Sequence, residues 1–134
     1  MKRILIVDDE PHVIRVVRLA LERNGYLVDA AANGKQALEY LEEQHPDLII
    51  TDIDMPQMNG KDLCMEINSS LPDRTFHIFV LTARAELEHR KWASAIPNLD
   101  FMEKPVSIRR LVSRLDTYFA DVQLSDKQEC QTAS

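Results

Sequence analysis

The clearest indication of the fold comes from residues 48–60, which read LIITDIDMPQMNG. The segment begins with three aliphatic residues and a threonine, without helical spacing and without alternation of polar and apolar residues. Such a run is typical of a strand buried on both faces of a parallel sheet. Pro56, Asn59 and Gly60 then indicate a loop. Asp52 is therefore predicted at the carboxyl end of a buried strand, the edge where open α/β sheets bind ligands.

An aspartate in this position has two interpretations. It commonly forms a turn or caps the following helix through its side chain. It can also be a carboxylate that is kept out of bulk water for chemistry. One strand does not decide between them, so the remaining segments have to be considered.

Four more segments have the pattern of strands, and helical patterns separate all five. The predicted strands cover residues 3–7, 26–30, 48–51, 76–81 and 99–102. Helices are expected from Pro11, from Asn33, around Leu63, over residues 86–95, and along a stripe of Ile108, Leu111, Val112, Leu115 and Phe119. This alternation predicts an α/β, flavodoxin-like (βα)5 three-layer sandwich with a parallel five-stranded sheet in the order 2-1-3-4-5. Residues 1–119 are expected to form one domain, and residues 120–134 a flexible polar tail.

Composition excludes several classes of protein. The 134 residues are 45% hydrophobic and 28% charged, as in a globular domain, and the formal net charge of −6 disfavours direct binding of nucleic acid. Cys64 and Cys130 are too few for a disulfide framework or a thiolate metal site. The short apolar run near the N-terminus predicts neither a signal peptide nor a membrane span, so the cytoplasm is the expected compartment.

Polar side chains follow four of the predicted strands. Asp8 and Asp9 follow the first strand, Asp52 the third, Thr82 the fourth and Lys104 the fifth. In the predicted order, strands one and three are neighbours, so these aspartates should face one another across a cleft. Crowded carboxylates repel one another unless a cation binds, and hard oxygen ligands suit Mg²⁺. The sequence therefore predicts a magnesium site at this edge.

The same set of residues suits phosphoryl chemistry. A carboxylate can attack phosphorus, while a hydroxyl and an ammonium group can bind phosphoryl oxygens. Each residue also has an ordinary interpretation, with Asp9 as a helix cap, Thr82 as a strand end and Lys104 as a solvated lysine. Their convergence at one edge favours the functional interpretation.

Four short motifs now identify a family. They are VDDEP at residues 7–11, ITDIDMP at 50–56 followed by Asn59-Gly60, LTA at 81–83, and Lys104-Pro105. In this order the motifs resemble those of the response-regulator receiver domain of two-component signalling, similar to the stand-alone type. The resemblance runs from about Arg3 to Phe119. It covers nearly the whole chain.

The resemblance implies a magnesium-dependent phosphoacceptor. By it, Asp52 takes a phosphoryl group from a histidine kinase or a phosphotransfer protein. Asp9 and Asp52 would bind Mg²⁺ directly, the backbone carbonyl of Asp54 would be a third ligand, and Asp8 would act through water. The chain would be a signalling switch, not an enzyme with a substrate of its own.

The resemblance also implies how a signal leaves the site. Thr82 and Lys104 would bind the phosphoryl oxygens, and Thr82 with Phe101 would switch the face formed by the fourth helix, the fifth strand and the last helix. A downstream protein would bind that face, and the chain would be a monomer or a weak phosphorylation-dependent dimer. Pro97-Asn98 departs from the family, which often has Gly-Ala before the fifth strand, so the end of the fourth helix is expected to be reshaped.

Two alternatives remain. The chain could be the receiver part of a larger regulator with an effector domain, although its end at Ser134 favours a stand-alone receiver. The Asp52-x-Asp54 pair also resembles the nucleophile and general acid of haloacid-dehalogenase-type phosphatases. That family usually has a threonine or valine where Pro56 stands, and it adds a cap domain for which this chain has no room.

Overall fold

The computed structural model describes residues 2–53, 55, 58–82, 91–103 and 107–132, with side chains as far as Asp121. Within these ranges five strands form one parallel sheet in the order β2-β1-β3-β4-β5. The strands are β1 (Arg3–Val7), β2 (Leu27–Ala31), β3 (Leu48–Asp52), β4 (His77–Thr82) and β5 (Leu99–Glu103). The predicted flavodoxin-like topology is confirmed.

Helices connect the strands and cover both faces of the sheet. They are α1 (Pro11–Arg23), α2 (Gly34–Glu43), α3 (Gly60–Ser70) and a C-terminal helix (Ile108–Thr132). Residues 91–93 are also helical, and the remainder of the predicted fourth helix, apart from residues 94–95, lies outside the described residues. Among the described helices, none combines the length and apolar character needed to cross a membrane.

The helix ends follow from local chemistry. Pro11 occupies the start of α1, where its missing N–H costs no hydrogen bond, and α1 ends at Asn24 before Gly25, whose φ is 90°. Asn33 caps α2 by accepting a hydrogen bond from the backbone N–H of Gln36. These signals put the ends of both helices where the sequence predicts them.

Two apolar clusters hold the three layers together. On one face, α2 and α3 pack against the sheet through residues that include Leu41, Leu63 and Ile67. On the other face, α1 and the C-terminal helix pack through residues that include Leu21 and Leu115. Strand β3 is buried along its whole length, because it lies at the centre of the sheet between both layers. This position makes its carboxyl end a rigid place for a functional side chain.

Two expectations need correction. Asn59 and Gly60 were interpreted as part of a loop, but Asn59 caps α3 and Gly60 is its first residue, so α3 is an ordinary helix of 11 residues, not a short one. The last helix does not stop at Phe119, because its backbone continues to Thr132. Residues 120–132 contain no glycine or proline, so the helical hydrogen bonds can continue without an apolar stripe.

Candidate functional site

Three aspartates meet at the carboxyl edge of the sheet. One carboxylate oxygen from each of Asp8, Asp9 and Asp52 lies within 4.8 Å of the other two. Asp8 and Asp52 are buried, at 2% and 4% exposure, whereas Asp9 is open to solvent. The topology produces this arrangement, because β1 and β3 are neighbouring parallel strands with Val7 paired to Thr51. The structure thus brings together the aspartates that the sequence predicts at one edge.

Asp8 is held by hydrogen bonds on both sides. Its backbone N–H donates to the carbonyl of Ala31 at 3.1 Å, which extends the pairing of β1 with β2. Its side-chain oxygen accepts a hydrogen bond from the N–H of Glu10 at 2.9 Å. The carboxylate is therefore oriented by the turn into α1, and it is available at the edge in one fixed position.

The backbone around Asp52 is equally constrained. The hydroxyl of Thr51 donates to the carbonyl of Asp52 at 2.9 Å, and Thr51 is fully buried. The N–H of Ile53 donates to the carbonyl of Leu81 at 3.1 Å, so the β3–β4 pairing continues past Asp52. These contacts fix the direction in which the Asp52 carboxylate leaves the strand, as a preorganised reactive group requires.

Gly60 completes the support of Asp52, and the sequence interpretation missed it. Its N–H donates to the carbonyl of Ile53 at 2.9 Å, which closes the loop after β3. A Cβ at this position would overlap the Asp52 carbonyl and would lie 2.8 Å from the Cα of Ile53. Only glycine allows α3 to begin this close to the strand. The available signal was a glycine placed directly after the potential cap residue Asn59.

Gly60→Ala is expected to destabilise the fold by about 1–3 kcal/mol, because the added methyl group would push against backbone atoms that cannot move independently. It should also lower the reactivity of Asp52 by displacing its backbone. Urea denaturation measures the first effect, and Ser69→Ala, an exposed change in the same helix, is the control, with an expected effect below about 0.5 kcal/mol. Equal stability of the two variants would contradict this role of Gly60.

The donor set fits a small hard cation. Three carboxylates within 4.8 Å of one another, two of them buried, concentrate negative charge where little water can screen it. Oxygen ligands of this kind suit Mg²⁺, which keeps several waters and binds through one or two carboxylates. Cys64 is no rival ligand, because burial raises the pKa of its thiol to about 12 and leaves it neutral. Among the described residues, this is the one group of acids, histidines and cysteines with a geometry suited to a metal ion.

Thr82 and Phe101 lie on the same side of the sheet. Thr82 is the last residue of β4, buried at 2% exposure, and it lies two residues beyond Val80, whose partner in β5 is Phe101. Since side chains alternate along a strand, Thr82, Val80 and Phe101 share one face. The ring of Phe101 packs edge-to-face on Trp92, with the ring centroids 5.6 Å apart. Thr82, at the carboxyl edge, is therefore on the same face of the sheet as the packed residues Val80, Phe101 and Trp92.

Two predicted site residues lie outside the described residues. The backbone carbonyl of Asp54 and the side chain of Lys104 fall in the gaps of the structure, so their roles stay predictions. Lys104 directly follows Glu103, which pairs with Thr82 at the end of the sheet.

Sequence comparisons agree with this geometry. Residues 4–116 match the family described as the response regulator receiver domain. The response regulator MprA of Mycobacterium ulcerans is 31% identical over 132 residues, which span 98% of this chain and 56% of that protein. The alkaline phosphatase synthesis transcriptional regulatory protein PhoP of Bacillus subtilis is 34% identical over 114 residues, which span 85% and 47%. The chain thus spans about half the length of these curated relatives.

Solved structures share the fold. A CheY-like response regulator receiver domain protein from Methanospirillum hungatei superimposes with a TM-score of 0.83 at 27% identity, over 93% of this chain and 98% of the other. The response regulator protein TrrA from Thermotoga maritima, solved in complex with Mg²⁺-BeF, gives a TM-score of 0.75 at 32% identity, over 87% and 98%. With its parallel sheet, its edge aspartates and a family match from residue 4 to residue 116, this chain belongs to the response regulator receiver domains of two-component signalling.

Proposed function

We propose that this chain is a phosphorylation-dependent signalling switch in which Asp52 accepts a phosphoryl group from a histidine kinase or a phosphotransfer protein. The observation that carries the proposal is the group of three carboxylate oxygens within 4.8 Å at the carboxyl edge, with Asp52 buried and its backbone fixed. A buried carboxylate beside two others raises the free energy of the folded state, because the charges repel one another and are poorly solvated. Binding of a cation and a phosphoryl group would explain why the arrangement exists. Family membership supports the same assignment.

The transfer is a displacement at phosphorus. A carboxylate oxygen of Asp52 forms a bond to phosphorus while the bond from phosphorus to the donor histidine nitrogen breaks, and that nitrogen leaves with the electron pair. Asp8, Asp9 and Asp52 would hold Mg²⁺, with the carbonyl of Asp54 as a further ligand. When bound, the ion offsets the charge of the carboxylates and of the incoming phosphoryl oxygens. The Mg²⁺-BeF complex of the Thermotoga maritima relative is consistent with such a site.

Thr82 and Lys104 are proposed to bind the phosphoryl oxygens after transfer. Thr82 lies at the end of β4, beside the strand that carries Asp52, and this position supports its proposed role in binding phosphoryl oxygens. The assignment of Lys104 rests on its place in the sequence and on the family. A hydroxyl donor and a compact ammonium charge would together replace the water that the phosphoryl group loses.

The donor protein is proposed to bind at the outer surface of α1. Val16 and Leu19 are large apolar side chains on this helix, and they are 54% and 51% exposed. They lie three residues apart, so they share one face of α1, the helix that begins just after Asp9. A helix of the donor could cover them and bring its phosphohistidine over the edge of the sheet.

The downstream partner is proposed to bind the face formed by residues 91–93, β5 and the C-terminal helix. Asp100 and Arg114 mark this face, with their charged groups 3.8 Å apart and half exposed. Because the curated relatives are about twice as long as this chain, a receiver within a larger regulator that carries an effector domain is the second candidate. A DNA-binding effector is suggested by the words "transcriptional regulatory protein" in the name of the Bacillus subtilis relative.

Beryllofluoride with Mg²⁺, a stable stand-in for the phosphoryl group, should change the fluorescence of Trp92, the single tryptophan of the chain. The reason is that Thr82 moves toward the new acceptor and vacates space that Phe101 can fill, which alters the ring packed on it. Burying an aromatic ring yields about 1.5–3 kcal/mol, enough to shift an equilibrium of a few kcal/mol. Thr82→Ala should weaken the change.

Thr117→Ala, an exposed threonine on the C-terminal helix, is the matched control and should respond as the wild type does. Amide NMR gives the sharper result. Shifts that stop at the carboxylate edge and leave Trp92, Phe101 and their neighbours unchanged would exclude the switch.

The proposed function is tested by comparing two phosphate donors. With acetyl phosphate and Mg²⁺ the protein should become labelled with about one phosphoryl group per chain, while a generic phosphomonoester should not be turned over efficiently. A phosphatase of the haloacid-dehalogenase type would show the reverse, with multiple turnovers of the monoester. That result would replace the receiver function with an enzymatic one.

A further inference from the structure

Arg74 links two connections that are far apart in sequence. It lies between α3 and β4, and its Nη2 donates a hydrogen bond to the carbonyl oxygen of Pro97, 23 residues away. The guanidinium also lies over the ring of Phe76, 5.7 Å from the ring centroid. Phe76 is buried in the core, so the guanidinium rests on a rigid surface. The side chain is thereby held at the segment that precedes β5.

That segment, residues 94–98, is the pre-β5 turn, and it is where the sequence departs from its family. Asn98 has a φ of 56°, in the left-handed region that asparagine tolerates better than most residues. Its carbonyl accepts a hydrogen bond from the N–H of Ile78 at 2.9 Å. The pre-β5 turn is therefore attached at two neighbouring carbonyls, that of Pro97 to Arg74 in the connection between α3 and β4, and that of Asn98 to Ile78 in β4.

The pre-β5 turn joins the two rings of the proposed switch. Trp92 precedes the turn and Phe101 follows it, and the rings pack edge-to-face. Between them, Ile96 is buried, and the N–H of Ala95 donates to the carbonyl of Trp92 at 3.3 Å. Any change in the angle between helical residues 91–93 and β5 has to pass through this turn, so a contact that fixes the turn also restrains the ring pair.

The environment of Arg74 is unusual for a guanidinium. Within the described part of the chain, its buried Nε and Nη1 have no hydrogen-bond partner. Burial lowers the pKa of Arg74, because desolvation disfavours the charged guanidinium. A charge that is partly buried and has one hydrogen bond among the described residues contributes little to stability, and an apolar side chain of similar length could replace it at small cost. A role in positioning explains the residue better than a role in stability.

We propose that Arg74 is a positioning residue that holds the pre-β5 turn through the Pro97 carbonyl and thereby keeps the Trp92–Phe101 pair in the arrangement that can respond to a change at the carboxylate edge. The coupling part of this inference rests on the proposed function. The positioning part does not, since it concerns the protein without any activating group.

The first experiment therefore uses the unmodified protein. In Arg74→Met, the amide of Ile78 should exchange about tenfold faster, because the turn that carries its acceptor is released, and the indole NMR signal of Trp92 should shift. The midpoint of thermal unfolding of Arg74→Met should equal or exceed that of the wild type. Arg23→Met, an exposed change at the end of α1, is the control and should leave both signals unchanged. Unchanged Ile78 exchange and an unchanged Trp92 signal in Arg74→Met would overturn the proposal.

Arg74→Lys is the second variant, since it keeps the charge and loses the planar group. It should show the same local loss of protection at Ile78. If Arg74→Met instead loses protection throughout the sheet while Arg74→Lys behaves as the wild type, Arg74 acts on overall stability alone and the proposal is wrong.

Beryllofluoride with Mg²⁺ then tests the coupling. In Arg74→Met the midpoint of the beryllofluoride titration should match that of the wild type, because the carboxylate edge is intact. The change in the Trp92 signal on beryllofluoride binding should be smaller than in the wild type by about twofold or more. An unaltered change at Trp92 would contradict the coupling. A wild type that does not bind beryllofluoride would contradict the proposed function instead, and the exchange of Ile78 would still test the positioning.

Discussion

Asp52→Asn is expected to reduce labelling by acetyl phosphate and Mg²⁺ to background. Asparagine keeps the shape of the side chain but removes the nucleophilic oxygen, so no bond to phosphorus can form. The fold should persist, because the backbone hydrogen bonds around Asp52 do not involve the side-chain atoms that the substitution changes. Loss of one of three neighbouring charges should even raise the free energy of unfolding in the absence of metal.

Asp121→Asn is the matched control, because it removes an exposed carboxylate on the C-terminal helix. It should be labelled at the wild-type rate. If Asp52→Asn is folded, as judged by circular dichroism, and is still labelled, the phosphoryl group is carried by another residue and the assignment is wrong.

Mg²⁺ is expected to stabilise the protein strongly, because it relieves the repulsion among Asp8, Asp9 and Asp52. At a hundredfold excess over its Kd, binding to the folded state alone raises the free energy of unfolding by about 2.7 kcal/mol. Urea denaturation with and without Mg²⁺ measures the difference directly. Asp9→Ala should lose most of this gain.

Asp121→Ala serves as the control for charge alone, and it should keep the full gain. A wild type whose stability does not depend on Mg²⁺ would show that the three carboxylates do not form a metal site. Equal gains in the wild type and in Asp9→Ala would show that the ion binds elsewhere.

Most of the fold could be predicted because buried parallel strands have a distinct pattern. Runs such as residues 4–7 and 48–50 are apolar without interruption, and the turns between elements carry glycine, asparagine or proline. The errors have local causes. Tyr26 was assigned to the second strand as the first residue of the run YLVDA, but its backbone N–H belongs to the end of α1, where it donates to the carbonyl of Leu21. Its hydroxyl donates a hydrogen bond to Asp116 at 2.6 Å, so the buried side chain contacts the C-terminal helix.

The meeting of the aspartates was also predictable, because strand order alone brings the ends of β1 and β3 together. The alternation of strands and helices indicates a doubly wound parallel sheet, and 2-1-3-4-5 is a common order for one with five strands. The roles of these residues in binding and transfer stay proposals. They depend on groups, such as Lys104, whose contacts lie outside the described residues.

Gly60 and Arg74 could not be predicted, because their roles depend on tertiary contacts. The close approach of Gly60 to Asp52 is set by the path of the chain between β3 and α3. The bond from Arg74 to Pro97 joins residues 23 positions apart, with no periodicity between them. The sequence showed that Pro97-Asn98 departs from the family pattern, but it did not show that Arg74 contacts Pro97.

The most direct test of the phosphoacceptor is to locate the phosphoryl group in the labelled protein. After reaction with acetyl phosphate and Mg²⁺, borohydride reduces an aspartyl phosphate to homoserine, and peptide mass spectrometry identifies the altered residue. We predict one altered aspartate per chain, at Asp52, and no alteration when Mg²⁺ is removed by chelation. An altered Asp8 or Asp9, or a stable phosphate on a serine or histidine, would contradict the central claim.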